Sequence, residues 1–130
     1  MLPAAFMIAV AAPCVGPGVY DRAGFFRPDA IKKACANVCE IKSEFGRDLR
    51  IETFPTVPDG NADAVRRMTP RERDQFFHEW ANRRGREAGL TGIYVLICKN
   101  PGRVQVEVGL RTNRDVFPDT DRDRLRDILL

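Results

Sequence analysis

Residues 92–109 constrain the fold of this 130-residue chain more than any other stretch. The run 93–98 is continuously apolar, which is typical of a strand that is covered on both faces. Residues 99–102, Lys-Asn-Pro-Gly, then predict a tight turn. In residues 104–108 valine alternates with polar residues, so the next strand has one buried face. The two strands are therefore expected to form an antiparallel hairpin.

Two helices are predicted before this hairpin. Pro28 suits a first helical turn and Gly46 suits a helix end, and the residues between them carry an apolar repeat at helical spacing. Residues 69–72, Thr-Pro-Arg-Glu, form a capping box that begins a second helix, which ends near Arg84. Trp80 lies on the apolar stripe of this helix, where a core position is favoured over an aromatic binding platform.

A strand is predicted between the two helices, over residues 48–54, because apolar and polar residues alternate there. Prolines at 55 and 58 are expected to end it. The order strand, helix, strand predicts a right-handed parallel crossover. The predicted fold class is α/β: a small mixed β-sheet, with a parallel crossover plus an antiparallel hairpin, flanked by helices on both faces.

Residues 1–18 are predicted to be a signal-peptide-like segment and linker, and residues 19–130 a single domain. The apolar run 2–12 has the length of a signal-peptide hydrophobic region and is too short to span a bilayer; a buried first strand or helix is the alternative. Export is therefore expected, to a periplasmic, extracellular or membrane-attached location, with lipid attachment at Cys14 as a further option. The chain stops inside a last helix that begins near Asp119, which suggests truncation at the C-terminus.

Charge and residue composition exclude several function classes. The 21 basic and 18 acidic residues are interleaved, so no nucleic-acid partner is expected. His78 is the single histidine, and neither a catalytic triad nor a histidine-based metal site can be built around it. Cys35 and Cys39 share a helical face without a second ligand pair, so a zinc site is not favoured.

Carboxylates are the remaining candidates for chemistry. Asp21 precedes the first helix, and Asp115 and Asp119 follow the last strand. Acidic side chains that converge at strand ends can bind Ca²⁺ or Mg²⁺ and position a phosphate. The alternative for Asp21 is a capping or turn residue, and that for Asp119 is a favourable position beside a helix N-terminus.

The order of elements and several short motifs resemble the TPM domain, the family of a thylakoid-lumen phosphatase-like protein, a photosystem II repair protein and a receptor modulator. The motifs that carry the resemblance are Val19-Tyr20-Asp21-Arg22-Ala23, Thr53-Phe54-Pro55, Trp80 near a helix end, Gly92 before the apolar strand, and Glu107-Val108-Gly109. The resemblance covers residues 19–130. It implies an α/β sandwich, export or membrane association, and a metal-assisted phosphatase activity in some members.

The resemblance also implies site residues. Asp21, Thr53 and Arg111 become the catalytic candidates, with Arg111 holding a substrate phosphate. Asp21, Asp115 and Asp119 become the candidate ligands for Ca²⁺ or Mg²⁺. The implied partners are a phosphorylated substrate or a membrane protein complex.

Two departures from the TPM pattern favour a module that binds rather than catalyses. The family often has Asp-Asn-Gly before the buried strand, where this chain has Leu90-Thr91-Gly92. It often has Gly-Tyr-Gly-Leu-Glu after the last strand, where this chain has 109–113, Gly-Leu-Arg-Thr-Asn. Losing an acid and gaining an arginine should weaken a divalent-metal site. The first hypothesis is therefore an exported binding or accessory module with weak or no catalysis, and the alternative is a metal-dependent acid phosphatase of the TPM type.

Overall fold

The computed structural model of the protein describes residues 16–109, together with residues 123, 124 and 127. Four strands and three helices lie in residues 16–109. In chain order they are β1 (Gly18–Asp21), α1 (Pro28–Phe45), β2 (Asp48–Thr56), α2 (Ala62–Arg66), α3 (Pro70–Glu87), β3 (Gly92–Asn100) and β4 (Arg103–Val108). Residues 123, 124 and 127 are helical, as the predicted last helix requires. Residues 1–15, which make up most of the segment predicted to be a signal peptide and linker, lie outside the described part of the chain.

The strands form one mixed sheet in the order β1-β2-β3-β4. β1, β2 and β3 are parallel, and β4 is antiparallel to β3. The parallel crossover and the antiparallel hairpin are thus confirmed in a small α/β fold. The sequence analysis missed β1, because a four-residue strand shows too few alternations to stand out from a loop.

Local sequence explains where the long helices begin and end. Pro28 occupies the first turn of α1, and Gly46 ends it at φ 66°, donating its N–H to the carbonyl of Lys42. α3 begins with the predicted capping box, in which Thr69 and Glu72 exchange side chain to backbone hydrogen bonds. α3 then continues to Glu87, through Gly85, three residues further than expected.

The expectation that Pro55 ends β2 is wrong, since the strand continues to Thr56. β1 pairs with β2 only as far as Thr53. Beyond that point β2 has a paired strand on one side alone, where Thr56 pairs with Asn100. Pro55 has no backbone N–H, and this missing donor costs no hydrogen bond between strands where it faces the unpaired side of β2.

The two faces of the sheet carry separate apolar clusters. Tyr94, Leu96 and Cys98 of β3 pack with residues of α2 and α3, including Phe77 and Trp80. The other face holds a valine cluster of Val95, Val104 and Val106, with Leu49, Ile51, Ile93, Ile97 and Val108 against it. β3 thus has apolar packing on both faces, with Tyr94, Leu96 and Cys98 buried on one and Val95 buried between the partly buried Ile93 and Ile97 on the other.

α1 packs beside β1. A Cβ built on Gly18 would lie 3.6 Å from Cys35 Sγ and 3.6 Å from the Tyr20 ring. The N–H of Val19 also points at Cys35 Sγ, at 3.4 Å. Cys35 therefore occupies a packing position against the first strand, and it is a free thiol.

Gly85 offers a simple test of the packing between α3 and the sheet. A Cβ at this helical position would meet Tyr94 Cβ at 3.8 Å, which is ordinary van der Waals contact. We expect Gly85→Ala to raise the free energy of unfolding by about 0.5–1 kcal/mol, because alanine loses less backbone entropy in a helix. Urea denaturation measures the change. A loss of stability would show that α3 lies closer to β3 than described.

Candidate functional site

Asp21 and Thr53, two of the catalytic candidates, are brought together. They are register partners on the parallel strands β1 and β2. The hydroxyl of Thr53 donates to Asp21 Oδ1 over 2.6 Å. The contact lies at the carboxyl end of β1, where side chains from neighbouring parallel strands meet.

The surrounding chain uses both oxygens of the Asp21 carboxylate. Oδ1 also accepts the N–H of Phe25 at 2.9 Å, and Oδ2 accepts the N–H of Phe26 at 2.7 Å. Burial alone would raise the pKa of Asp21, but the hydrogen bonds from Thr53, Phe26 and Phe25 outweigh it and hold the pKa below 3.8. Asp21 thus anchors the turn between β1 and α1 in its ionised form.

Thr53 is part of the same anchor. Its side chain is fully buried, and its Oγ1 accepts the N–H of Ala23 at 2.9 Å while donating to Asp21. A hydroxyl with this burial and these partners is not accessible to a substrate. The pair therefore holds the backbone of residues 21–26, and its hydroxyl is closed to a substrate.

The other predicted site residues, Arg111, Asp115 and Asp119, lie outside the described residues. The chain enters that segment at Gly109, whose N–H donates to the carbonyl of Gly92 at 2.9 Å. Gly92 is the first residue of β3. Asp21 pairs with Thr53, and Thr53 pairs with Ile97, so Asp21 lies at the level of Ile97 along the strands. Five residues of strand separate the two levels, roughly 17 Å. That the Asp21–Thr53 pair and the predicted residues after Gly109 converge on one pocket remains a prediction.

The end of the sheet at Gly92 holds a small cleft. Its lining includes Asn82 and Arg86 of α3, Leu90, Tyr94 and Glu107. Leu90, one of the departures from the TPM pattern, lines this cleft. The other departure, in residues 110–113, lies outside the described residues.

No group of three or more His, Cys, Asp or Glu side chains suited to a metal ion occurs among the described residues. His78 is half exposed, with Nδ1 3.0 Å from Glu107 Oε2 and Nε2 3.0 Å from the amide of Asn82. Trp80 is buried against Phe54, with ring centroids 4.9 Å apart, so its core assignment is confirmed. Cys98 is a buried free thiol, and burial raises its pKa.

The dominant polar feature is a buried carboxylate, Glu52, which the sequence offers as a carboxylate within a strand but which is not among the predicted site residues. Glu52 is fully buried in the middle of β2. Its Oε2 accepts from Arg22, Arg50 and Arg84 at 2.8, 2.9 and 2.8 Å. Its Oε1 accepts from Arg84 Nε at 2.9 Å and from the Tyr94 hydroxyl at 2.5 Å. We call these five side chains the Glu52 cluster.

The Glu52 cluster draws on three elements and on the turn after β1. Arg50 and Glu52 share one face of β2, Tyr94 is the partner of Arg50 on β3, Arg84 lies on α3, and Arg22 lies in the turn. Burial alone would raise the pKa of Glu52, yet the hydrogen bonds from Arg84, Tyr94, Arg22 and Arg50 lower it far below 4.5. Burial and the bond to Glu52 raise the pKa of Tyr94. The carboxylate is therefore charged and the phenol neutral at any physiological pH.

Sequence reasoning had only a weak indication of this cluster. The alternation in β2 placed Arg50 and Glu52 on one polar face, which is normally taken as solvent-exposed. Instead, α3 covers that face. The useful signal was Arg84, which lies four residues after Trp80 and so faces the same side of the helix as the core.

The described part of the chain contains no helix that is both long and apolar enough to cross a membrane. No family model matches the chain, and no curated protein matches it significantly.

Proposed function

We propose that this chain is an exported, TPM-like binding or accessory module with weak or no catalysis. The observation that carries the proposal is the anchor formed by Asp21 and Thr53. Each polar atom of these two side chains is engaged by the turn after β1, and the Thr53 hydroxyl is buried. The buried Thr53 hydroxyl cannot reach a substrate as a nucleophile, and the three hydrogen bonds to the Asp21 carboxylate compete with a metal ion for its lone pairs.

Two further observations support the proposal. Leu90, rather than an acid, lines the cleft beside Gly92 and Gly109, so an oxygen ligand expected from the family pattern is replaced by an apolar side chain. Cys39 is disulfide-bonded, and stable disulfides are typical of exported proteins. A membrane protein complex is the partner class that the TPM resemblance favours.

A direct assay distinguishes the proposed module from the alternative, a metal-dependent phosphatase. We expect the purified chain to show no hydrolysis of an aryl phosphate above background, with or without Ca²⁺ or Mg²⁺. Asp21→Asn should instead lower the free energy of unfolding by about 1–2 kcal/mol, because it weakens an anchor of three hydrogen bonds. Metal-dependent turnover that Asp21→Asn abolishes would overturn the proposal in favour of the phosphatase.

Asp59→Asn is the matched control, because Asp59 is an exposed aspartate in the loop between β2 and α2. Its stability should stay within about 0.5 kcal/mol of the parent chain. A calcium titration by calorimetry completes the comparison. Binding heat in the parent that is absent in Asp21→Asn but present in Asp59→Asn would assign Asp21 to a metal site rather than to a turn.

A further inference from the structure

The Glu52 cluster contains more positive charge than its carboxylate can neutralise. Three guanidinium groups contact the one carboxylate of Glu52, an excess of two positive charges within the contact set. Arg50 is nearly buried, with 12% of its side chain exposed, and it is committed to Gly16 O and the Tyr20 ring. Arg22 and Arg84 remain 46% and 27% exposed. The excess charge therefore faces solvent through these two side chains.

Arg22 and Arg84 are held side by side. Each donates an Nη–H to the same oxygen, Glu52 Oε2, over 2.8 Å. Each guanidinium also lies against the Phe54 ring, 5.2 and 5.6 Å from its centroid. A shared acceptor and a shared aromatic ring restrict both side chains before any ligand arrives, which lowers the entropy cost of binding.

The two arginines keep donors for a ligand. Arg22 uses Nη1 alone for its bond to Glu52, and in the described part of the chain its Nε–H and Nη2 have no other acceptor. Arg84 uses Nε and Nη2 on Glu52, and its Nη1 makes only a long 3.4 Å contact with Glu87. Glu87 is half exposed and can swing into water. An incoming anion would replace this weak surface contact.

The geometry points to an oxyanion-binding site formed by Arg22 and Arg84 beside Phe54, with a phosphate group as its ligand. Guanidinium groups bind phosphate through paired, charge-assisted hydrogen bonds. Once Glu87 has moved away from Arg84, the excess of two positive charges matches a phosphate dianion better than a carboxylate. The inference rests on the proposed binding function and names the chemical class of its ligand.

The site is tested by titrating the full chain with inorganic phosphate at constant ionic strength, following the arginine Nε–H signals by NMR. We expect saturable shifts at Arg22 and Arg84. Arg22→Gln should weaken phosphate binding about tenfold or more, because it removes the guanidinium with the most free donors. It should fold, since Glu52 keeps Arg50, Arg84 and Tyr94.

Arg103→Gln is the matched control. Arg103 is 27% exposed, pairs with Asp74 at 2.8 Å and lies 5.2 Å from the Phe77 ring, so it repeats the surroundings of Arg84 away from Glu52. This variant should bind phosphate like the parent chain. Glu87→Gln should bind it more tightly, because the competing carboxylate is gone. If the two arginines had a purely structural role, Arg22→Gln would not weaken phosphate binding and Glu87→Gln would not strengthen it.

The outcomes separate this site from the proposed function. Saturable phosphate binding without hydrolysis supports both. Hydrolysis of an aryl phosphate would overturn the non-catalytic function and leave the anion site standing. Absent or unsaturable shifts, or equal losses in Arg22→Gln and Arg103→Gln, would overturn the site alone. An equal response to acetate would overturn its assignment to phosphate.

Discussion

Glu52→Gln is expected to lower the free energy of unfolding by about 3 kcal/mol or more. The substitution keeps the size of the side chain but removes the negative charge on which three guanidinium groups converge. Those groups would repel one another in a largely desolvated setting. Urea denaturation followed by circular dichroism measures the loss. Glu40→Gln, on the exposed side of α1, is the control and should change stability by less than about 0.5 kcal/mol.

The same experiment can show that the Glu52 cluster acts as a unit. Arg84→Gln also destabilises the fold, since it removes two of the five hydrogen bonds to Glu52. In the double variant two guanidinium groups rather than three face the neutral side chain at position 52, so its cost should fall short of the summed single costs by about 1–3 kcal/mol. Additive losses would mean that Glu52 and Arg84 do not depend on each other.

The Glu52 cluster should also make the stability of the folded chain depend on pH under acidic conditions. Because the pKa of folded Glu52 lies below the ordinary value of 4.5, its contribution is complete above that value and is lost as the pH falls below it. Asp21, whose pKa is also lowered, adds to the same slope. Stability of the parent chain should therefore drop as the pH falls from about 4.5, and more steeply than that of Glu52→Gln.

Gly92→Ala is expected to cost about 3 kcal/mol or more, or to prevent folding. A Cβ at this position would lie 2.0 Å from the carbonyl oxygen of Asp48 and 2.7 Å from its nitrogen. Both are backbone atoms of the paired strand, so neither can rotate away. The first residues of β2 and β3 would have to separate. Thermal unfolding measures the loss of stability.

Gly102→Ala is the control for this substitution. Gly102 lies in the turn between β3 and β4, and the nearest atom to its Cβ would be Lys99 O at 4.0 Å. We expect a change of less than about 0.5 kcal/mol. If Gly92→Ala were as stable as Gly102→Ala, the close approach of Gly92 to Asp48 would not exist in solution.

The close approach at Gly92 is part of a wider clamp between β2 and β3. Asp48 donates its N–H to Thr91 O at 3.1 Å and accepts the N–H of Thr91 on Oδ2 at 2.8 Å. Lys42, near the end of α1, contacts Asp48 Oδ1 at 2.9 Å. The clamp fixes the register of the two central strands where they begin, so losses from Gly92→Ala should spread to the hairpin.

The spacing of apolar residues along the chain was enough to predict most of the fold. The hairpin was predictable because 93–98 is apolar throughout and 104–108 alternates, and the helices because Pro28, Gly46 and the capping box at Thr69 mark their ends. β1 was not, because four residues cannot establish a period. α2 was hidden in a stretch rich in turn residues, where Asn61 caps it through the N–H of Ala64.

The candidate site was harder to predict than the fold. Parallel pairing brought Asp21 to Thr53, and the motif positions indicated both. Nothing local connects Arg22, Arg84 and Glu52, however, since Arg22 lies in a turn 30 positions before Glu52 and Arg84 in a helix 32 positions after it. Only the packing of α3 on the sheet decides that the polar face of β2 is interior. Alternation alone places polar residues in water.

The position of Cys35 has a consequence for how the protein behaves at high concentration. Among the strands that the structure describes, β1 is the outermost on its side of the sheet, and outermost strands are templates for pairing between molecules. β1 is only four residues long, and its Val19 N–H already points to a sulfur of its own chain. Strand addition from another molecule at this side is therefore discouraged by the short length of β1, by the sulfur acceptor within the chain and by the charged Asp21 at the end of the strand.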